Sequence, residues 1–230
     1  MFSSYILAFW PHPDDVEIWC GGVLFRAAQE GKLNHIIDLC PSQLSTRGDT
    51  VTRIREADKA GKLLWAHKRE NLLLCDGNLC DSYDHRLVVA KKIRQYKPEI
   101  VLMPRSFDRH PDHEGTAQMV KNGVFYAWLA KMDCDGLEPH KPRLLLHYMI
   151  WFETEPDFII PLTELEFQKK MEAFQSYQSQ SQTNDRGLEY FEARHKLRGA
   201  SIGAKYWEWY KLYSHKVGIR SLDDVMSGFF

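Results

Sequence analysis

Apolar residues in this chain fall into short continuous runs separated by longer amphipathic stretches. Tyr5-Ile6-Leu7-Ala8-Phe9-Trp10, ended by Pro11, reads as a buried strand. Val16 to Glu30 carries Val16, Val23, Leu24, Ala27 and Ala28 at helical spacing. Gly21-Gly22 either weakens that helix or admits close packing, and Gly31 stops it. Leu33 to Cys40 is the second strand, left by the polar loop Pro41 to Gly48. Val51 to His67 is a helix with Ile54, Ala57, Ala60, Leu63 and Leu64 inward. Leu72-Leu73-Leu74-Cys75 reads as a third strand, ended by Asp76-Gly77. Asp84 to Tyr96 is the third helix, closed by Lys97-Pro98, and Ile100 to Met103 the fourth strand, ended by Pro104. A helix from Asp112 to about Lys131 and strands at Leu144 to Trp151 and Phe158 to Pro161 follow. Thr163 opens the next helix as N-cap, with Glu166 as its capping-box partner, and that helix runs to Tyr177. Ser176 to Asn184 is polar and turn-like, Gly187 to about Lys205 is the last helix, and Trp207 to Phe230 reads as an irregular aromatic tail.

Strand–helix alternation through residue 131 predicts an α/β fold: a Rossmann-like, mostly parallel sheet with helices on both faces, in one domain spanning residues 1–230. Such sheets bind ligands beyond the C-terminal ends of their strands. Pro11 to Glu17 leaves the first strand and Pro104 to His113 leaves the fourth, so both segments are expected on one rim.

Composition narrows the function classes. With a net charge of −1, the chain carries no electrostatic footprint for nucleic acid or an anionic membrane. No apolar run approaches the ~20 residues of a membrane-spanning helix, and no signal peptide is evident. The five cysteines include no CxxC pair, which favours free thiols in a reducing cytoplasm. The aromatic C-terminal part suits either a homo-oligomer contact or an exposed substrate platform.

The two rim segments hold the chemistry. His12 and Asp15 lie three residues apart across a turn entering a helix, and His113 lies in the first turn of another. Together they form a candidate site for zinc, or for non-haem iron, with one position left for water. Asp14 is the candidate base for that water. His110 is placed to serve a developing oxyanion or the leaving amine, with Asp112 or Asp108 orienting its ring. The reaction is then hydrolysis of an amide. A plainer use of Asp14, Asp15 and Asp112 is helix capping. His35, His67, His85, His140, His147, His195 and His215 lack such surroundings and read as surface or satisfied core residues. No G-x-G-x-x-G follows the first strand, and Asp14-Asp15 would repel a pyrophosphate, which argues against a dinucleotide site.

His12-Pro13-Asp14-Asp15-Val16-Glu17 followed by Gly21-Gly22, with His110-Pro111-Asp112-His113, resembles the LmbE-like (PIG-L) zinc-dependent de-N-acetylases. Leu44 to Gly48, Arg53 with Glu56-Ala57, Arg69 to Leu72, Lys97 to Val101 and Glu192 to Arg194 resemble the branch containing bacillithiol-pathway deacetylases, which act on N-acetylglucosaminyl malate. Relatives of that branch act on chito-oligosaccharides or related amino sugars. The resemblance implies one zinc per chain held by His12, Asp15 and His113, with Asp14 as base and His110 as its acid or oxyanion-stabilising partner. It implies a small N-acetyl amino-sugar substrate, with Arg53 near it; the alternative for Arg53 is a surface ion pair with Glu56 or Asp49. Arg109 and Arg47 are further candidates. Two departures stand out. Trp10-Pro11 replaces the small residues usual before the first motif, and either narrows the pocket floor or fills core space. Gly187 stands where relatives commonly have a tyrosine, which leaves Tyr190, one helical turn on, as its candidate substitute. A metal- or sugar-binding protein with little turnover is the reading from another class.

Overall fold

The computed structural model describes residues 5–148, 155–181, 185–199 and 203–213. The elements in chain order are β1 (Ile6–Trp10), α1 (Asp15–Gln29), β2 (Asn34–Asp38), α2 (Thr50–Leu63), β3 (Lys68–Asn71), α3 (Tyr83–Tyr96), β4 (Ile100–Met103), α4 (Pro111–Trp128), β5 (Leu144–Tyr148), β6 (Phe158–Leu162), α5 (Glu164–Gln175), α6 (Gln178–Ser181), α7 (Asp185–Gly199) and β7 (Tyr206–Leu212). The strands form one seven-stranded sheet in the order β3-β2-β1-β4-β5-β7-β6. The first five are parallel; β7 runs antiparallel to β5 and β6. The fold class is therefore as read from the sequence, with an antiparallel edge added.

β1 is apolar throughout because both of its faces are covered. Ile6, Ala8 and Trp10 enter the core beneath α1, α2 and α5, while Leu7 and Phe9 enter the core beneath α3 and α4. Trp10 fills core space: it is fully buried and stacks on Tyr148 at 3.6 Å between ring centroids. The Tyr148 hydroxyl donates to the Phe9 carbonyl at 3.0 Å. Chain order turns back between β1 and β4, so the loops after these two strands flank the switch point.

Two sequence expectations are corrected. The third strand is Lys68–Asn71, not Leu72 to Cys75. Among the described residues β3 pairs only with β2 and lies at the sheet edge, where polar side chains are at home, whereas Leu73 has left the sheet with φ 55° and is largely exposed. The supposed tail contributes strand β7, which lies between β5 and β6. Tyr206 and Tyr210 enter the α1-side core, and Trp207 and Trp209 pack with Ile159. Glu208 between them is buried, accepting from Gly22 N at 2.8 Å, Val23 N at 3.0 Å, Lys170 Nζ at 2.7 Å and the Tyr210 hydroxyl at 3.0 Å. A Cβ at Gly22 would stand 3.1 Å from Glu208 Oε1 and 2.6 Å from Leu162 Cδ1, so a larger residue there would press on both side chains. The predicted end of the fifth strand beyond Tyr148, residues 200–202 of the last helix and the tail from residue 214, His215 included, lie outside the described residues.

The capping box is present as expected: Thr163 Oγ1 accepts from Glu166 N at 3.3 Å, and Glu166 Oε2 accepts from Thr163 N at 2.7 Å. Among the described residues, no helix is long and apolar enough to cross a membrane.

Candidate active site

The loop after β1 turns sharply into α1 at Asp14. Asp14 occupies the N-cap position with φ 107°, a left-handed conformation that Asp tolerates better than most residues, yet its side chain makes no capping bond. Its carboxylate is therefore left for other work, which corrects the capping alternative. Asp14 Oδ2 lies 3.1 Å from Arg53 Nη2. Burial pushes the Asp14 carboxyl up to about 6, against the pull of Arg53.

Asp15 opens α1 and faces the two histidines. Its Oδ2 lies 3.7 Å from His12 Nδ1 and 3.4 Å from His113 Nε2, and is buried with no hydrogen bond of good geometry among the described residues. Four-coordinate zinc with ligands at about 2.0–2.2 Å keeps neighbouring ligand atoms about 3.3–3.6 Å apart. The spacing and the unpartnered oxygen both fit a divalent ion among these donors. Carboxylates stand near the other histidine nitrogens, although among the described residues His113 Nδ1 makes no hydrogen bond of good geometry. His12 Nε2 lies 3.2 Å from Asp76 Oδ1 and 3.3 Å from Asp112 Oδ2. His113 Nδ1 lies 3.2 Å from Asp108 Oδ1.

These contacts correct the sequence reading of Asp108 and Asp112. Neither carboxylate orients the His110 ring; they stand behind His113 and His12. Asp112 does not cap α4 either, because its oxygens accept from Gly77 N at 2.8 Å and Leu79 N at 3.1 Å. His110 is the cap, with Nδ1 accepting from Asp112 N at 3.2 Å. In the neutral ring that bond leaves the proton on Nε2. Burial and the nearby His12 and His113 favour that neutral ring by lowering the His110 pKa.

His12, Asp14, Asp15, His110 and His113 line one cleft of about 640 Å³, with Arg47, Arg53 and Arg109 also in its walls. Arg53 is 3% exposed, so it is no surface partner of Glu56 or Asp49. Its Nη2 also donates to the Pro13 carbonyl, while among the described residues Nε and Nη1 are buried without partners. Tyr190 does not line the cleft; it is 53% exposed and touches the ring of Phe191, which does. It stands on an exposed side of α7, outside the walls of the cleft. Glu17 points away into a buried cluster with Arg69 and the Tyr177 hydroxyl, and burial raises its carboxyl to about 7.

Sequence reasoning missed Asp76, along with the apolar wall of Ile18, Phe174 and Phe191. A signal for Asp76 was present: an acid in the turn after an expected strand belongs on the same rim as the two motifs. Asp76→Asn is expected to weaken metal binding by about 10–100-fold, the usual cost of losing a carboxylate behind a ligating histidine. Chelator competition measures this, and unchanged affinity would remove Asp76 from the positioning of His12.

Residues 7–124 match the model of the family described as PIG-L: GlcNAc-PI de-N-acetylase. The chain is 24% identical over 189 residues to a diacetylchitobiose deacetylase of Thermococcus kodakarensis, covering 76% of this chain and 69% of that protein. Its structure is similar to that of a conserved protein of Thermus thermophilus, at TM-score 0.85 and 31% identity, over 92% and 94% of the two chains. It also shares its fold with the N,N'-diacetylchitobiose deacetylase of Pyrococcus horikoshii, at TM-score 0.82 and 22% identity, over 91% and 84%.

Proposed function

The chain belongs to the PIG-L family of GlcNAc-PI de-N-acetylases, and from that premise we propose that its cleft hydrolyses the acetamide of a small N-acetylated amino sugar with a bound divalent metal. The observation that carries this reading is the meeting of His12, Asp15 and His113 around an unpartnered carboxylate oxygen. Zinc, one per chain, is the proposed metal; iron suits the same donors. When bound, the metal supplies Lewis acidity, polarising the acetyl carbonyl and making water a stronger acid.

The protein's own groups supply the rest. Arg53 holds Asp14 Oδ2, leaving Oδ1 to take a proton from the attacking water. His110, with Nδ1 engaged by the Asp112 amide, donates from Nε2 to the acetyl oxygen as charge builds there. Asp14 then passes its proton to the departing amine. This assigns His110 to the oxyanion and proton transfer to Asp14, the choice that residue types alone left open.

The proposed substrate is an N-acetylglucosamine conjugate with a carboxylated aglycone, such as N-acetylglucosaminyl malate. Arg47, Arg53 and Arg109 in the cleft walls support it, because a guanidinium pairs well with a carboxylate. A chito-oligosaccharide is the second reading. The likeness to a diacetylchitobiose deacetylase supports it, and Phe174 and Phe191 offer a wall for another sugar ring.

Acetate release from N-acetylglucosaminyl malate, N-acetylglucosamine and diacetylchitobiose separates the two. The malate conjugate is expected to show the highest kcat/KM. Arg109→Ala is expected to raise KM about tenfold for that conjugate alone, the loss of one charge-assisted bond. Preference for diacetylchitobiose would replace the first reading with the second. No release from any of them would leave binding without turnover.

A further inference from the structure

We infer that a second cation site lies beside the cleft, in which Cys40 Sγ, Asp76 and His12 Nε2 take a thiophilic divalent ion such as zinc, cadmium or cobalt when that ion is in excess. The inference rests on the assignment of His12, Asp15 and His113 to the first metal.

The donor atoms of His12, Cys40 and Asp76 lie within 4.8 Å of one another. The imidazole of His12 faces two ways: Nδ1 is 3.7 Å from Asp15 Oδ2, and Nε2 is 3.2 Å from Asp76 Oδ1. Cys40 is fully buried and fixed next to the first motif, its amide donating to the Pro11 carbonyl at 3.0 Å. Ser42 supplies an independent sign of a ligand position. It lines the cleft with His12 and Asp76, is 5% exposed, has φ 59°, and its Oγ is buried without a partner. A buried hydroxyl ordinarily finds a hydrogen-bond partner, and this one stands two residues from Cys40. Sulfur, imidazole nitrogen and carboxylate oxygen together suit zinc, cadmium or cobalt rather than magnesium or calcium.

Binding replaces the Cys40 S–H bond with a sulfur–metal bond, and the thiol proton leaves to solvent. The His12 ring proton moves from Nε2 to Nδ1. A neutral imidazole offers one lone pair to metals, so His12 serves one ion at a time. Loading Nε2 therefore withdraws His12 from the first metal, and excess thiophilic ion inhibits the enzyme that a single equivalent activates.

Cobalt titration of the metal-free full chain tests this in a Cys75→Ser/Cys80→Ser background, which removes the two exposed thiols. The first equivalent is expected to give visible d–d bands and activity without a thiolate-to-cobalt charge-transfer band. Excess cobalt is expected to add that near-ultraviolet band in step with loss of acetate release. Adding Cys40→Ser should abolish the band, keep the first-equivalent activity, and raise the inhibiting cobalt concentration about tenfold or more. A chain that is activated by the first equivalent yet never shows the band overturns this inference alone. So does inhibition that is identical with and without Cys40. A chain that binds no cobalt overturns the first metal site as well.

Discussion

Asp14→Asn is expected to lower kcat by about 10²–10⁴-fold while the bound metal stays in place, the range for loss of a general base. Asn tolerates the left-handed backbone at this position, φ 107°, nearly as well as Asp, so α1 and its neighbour Asp15 keep their places. The substitution makes no change to capping, because the Asp14 side chain makes no capping bond. What it removes is the oxygen proposed to accept the proton from water and return it to the amine. Arg53 also loses its charged partner 3.1 Å away, so a modest change in KM accompanies the fall in kcat. Steady-state kinetics with metal analysis of the same preparation checks both parts. Full activity with full metal would remove Asp14 from proton transfer.

The largest effect on stability is expected away from the cleft. Lys170 is fully buried on α5, donating to Glu208 Oε1 at 2.7 Å, and its Nζ lies 3.0 Å from His195 Nε2. His195 Nδ1 lies 2.6 Å from the Phe191 carbonyl; donating there leaves Nε2 to accept from Lys170. This cluster joins α1, α5, α7 and β7 at one point. Lys170→Met leaves the Glu208 carboxylate buried without its cation and is expected to cost about 3–5 kcal/mol. Adding Glu208→Gln to that variant should recover part of the loss, since it removes the uncompensated charge. Denaturant unfolding of the single and double variants measures both. A cost below about 1 kcal/mol for Lys170→Met would contradict this role.

What could be read from the sequence follows how local each determinant is. The capping box at Thr163 and Glu166 was legible because its two bonds span three residues. β4 was legible as an apolar run with a proline behind it. β7 was not, because the charge of Glu208 hides a strand until Lys170 and the amides of Gly22 and Val23 are brought beside it. β3 was displaced onto the apolar Leu72 to Leu74, since an edge strand carries no apolar signature. In the site, the motif residues pointed to their own convergence on one rim. The pairing of Asp76 with His12 joins positions 64 apart, and only the parallel sheet sets their loops side by side. The part of Asp108 behind His113 and that of His110 as a cap depend on side-chain directions within one turn of chain, which spacing does not fix.

Metal-dependent deacetylation at His12, Asp15 and His113 is the reading proposed for the cleft. Its most direct measurement is acetate release from an N-acetylated amino sugar by chelator-stripped protein during stepwise return of zinc. No release is expected from the stripped chain, with activity that rises to its maximum at one zinc per chain. Release that persists undiminished in the fully stripped protein would contradict it.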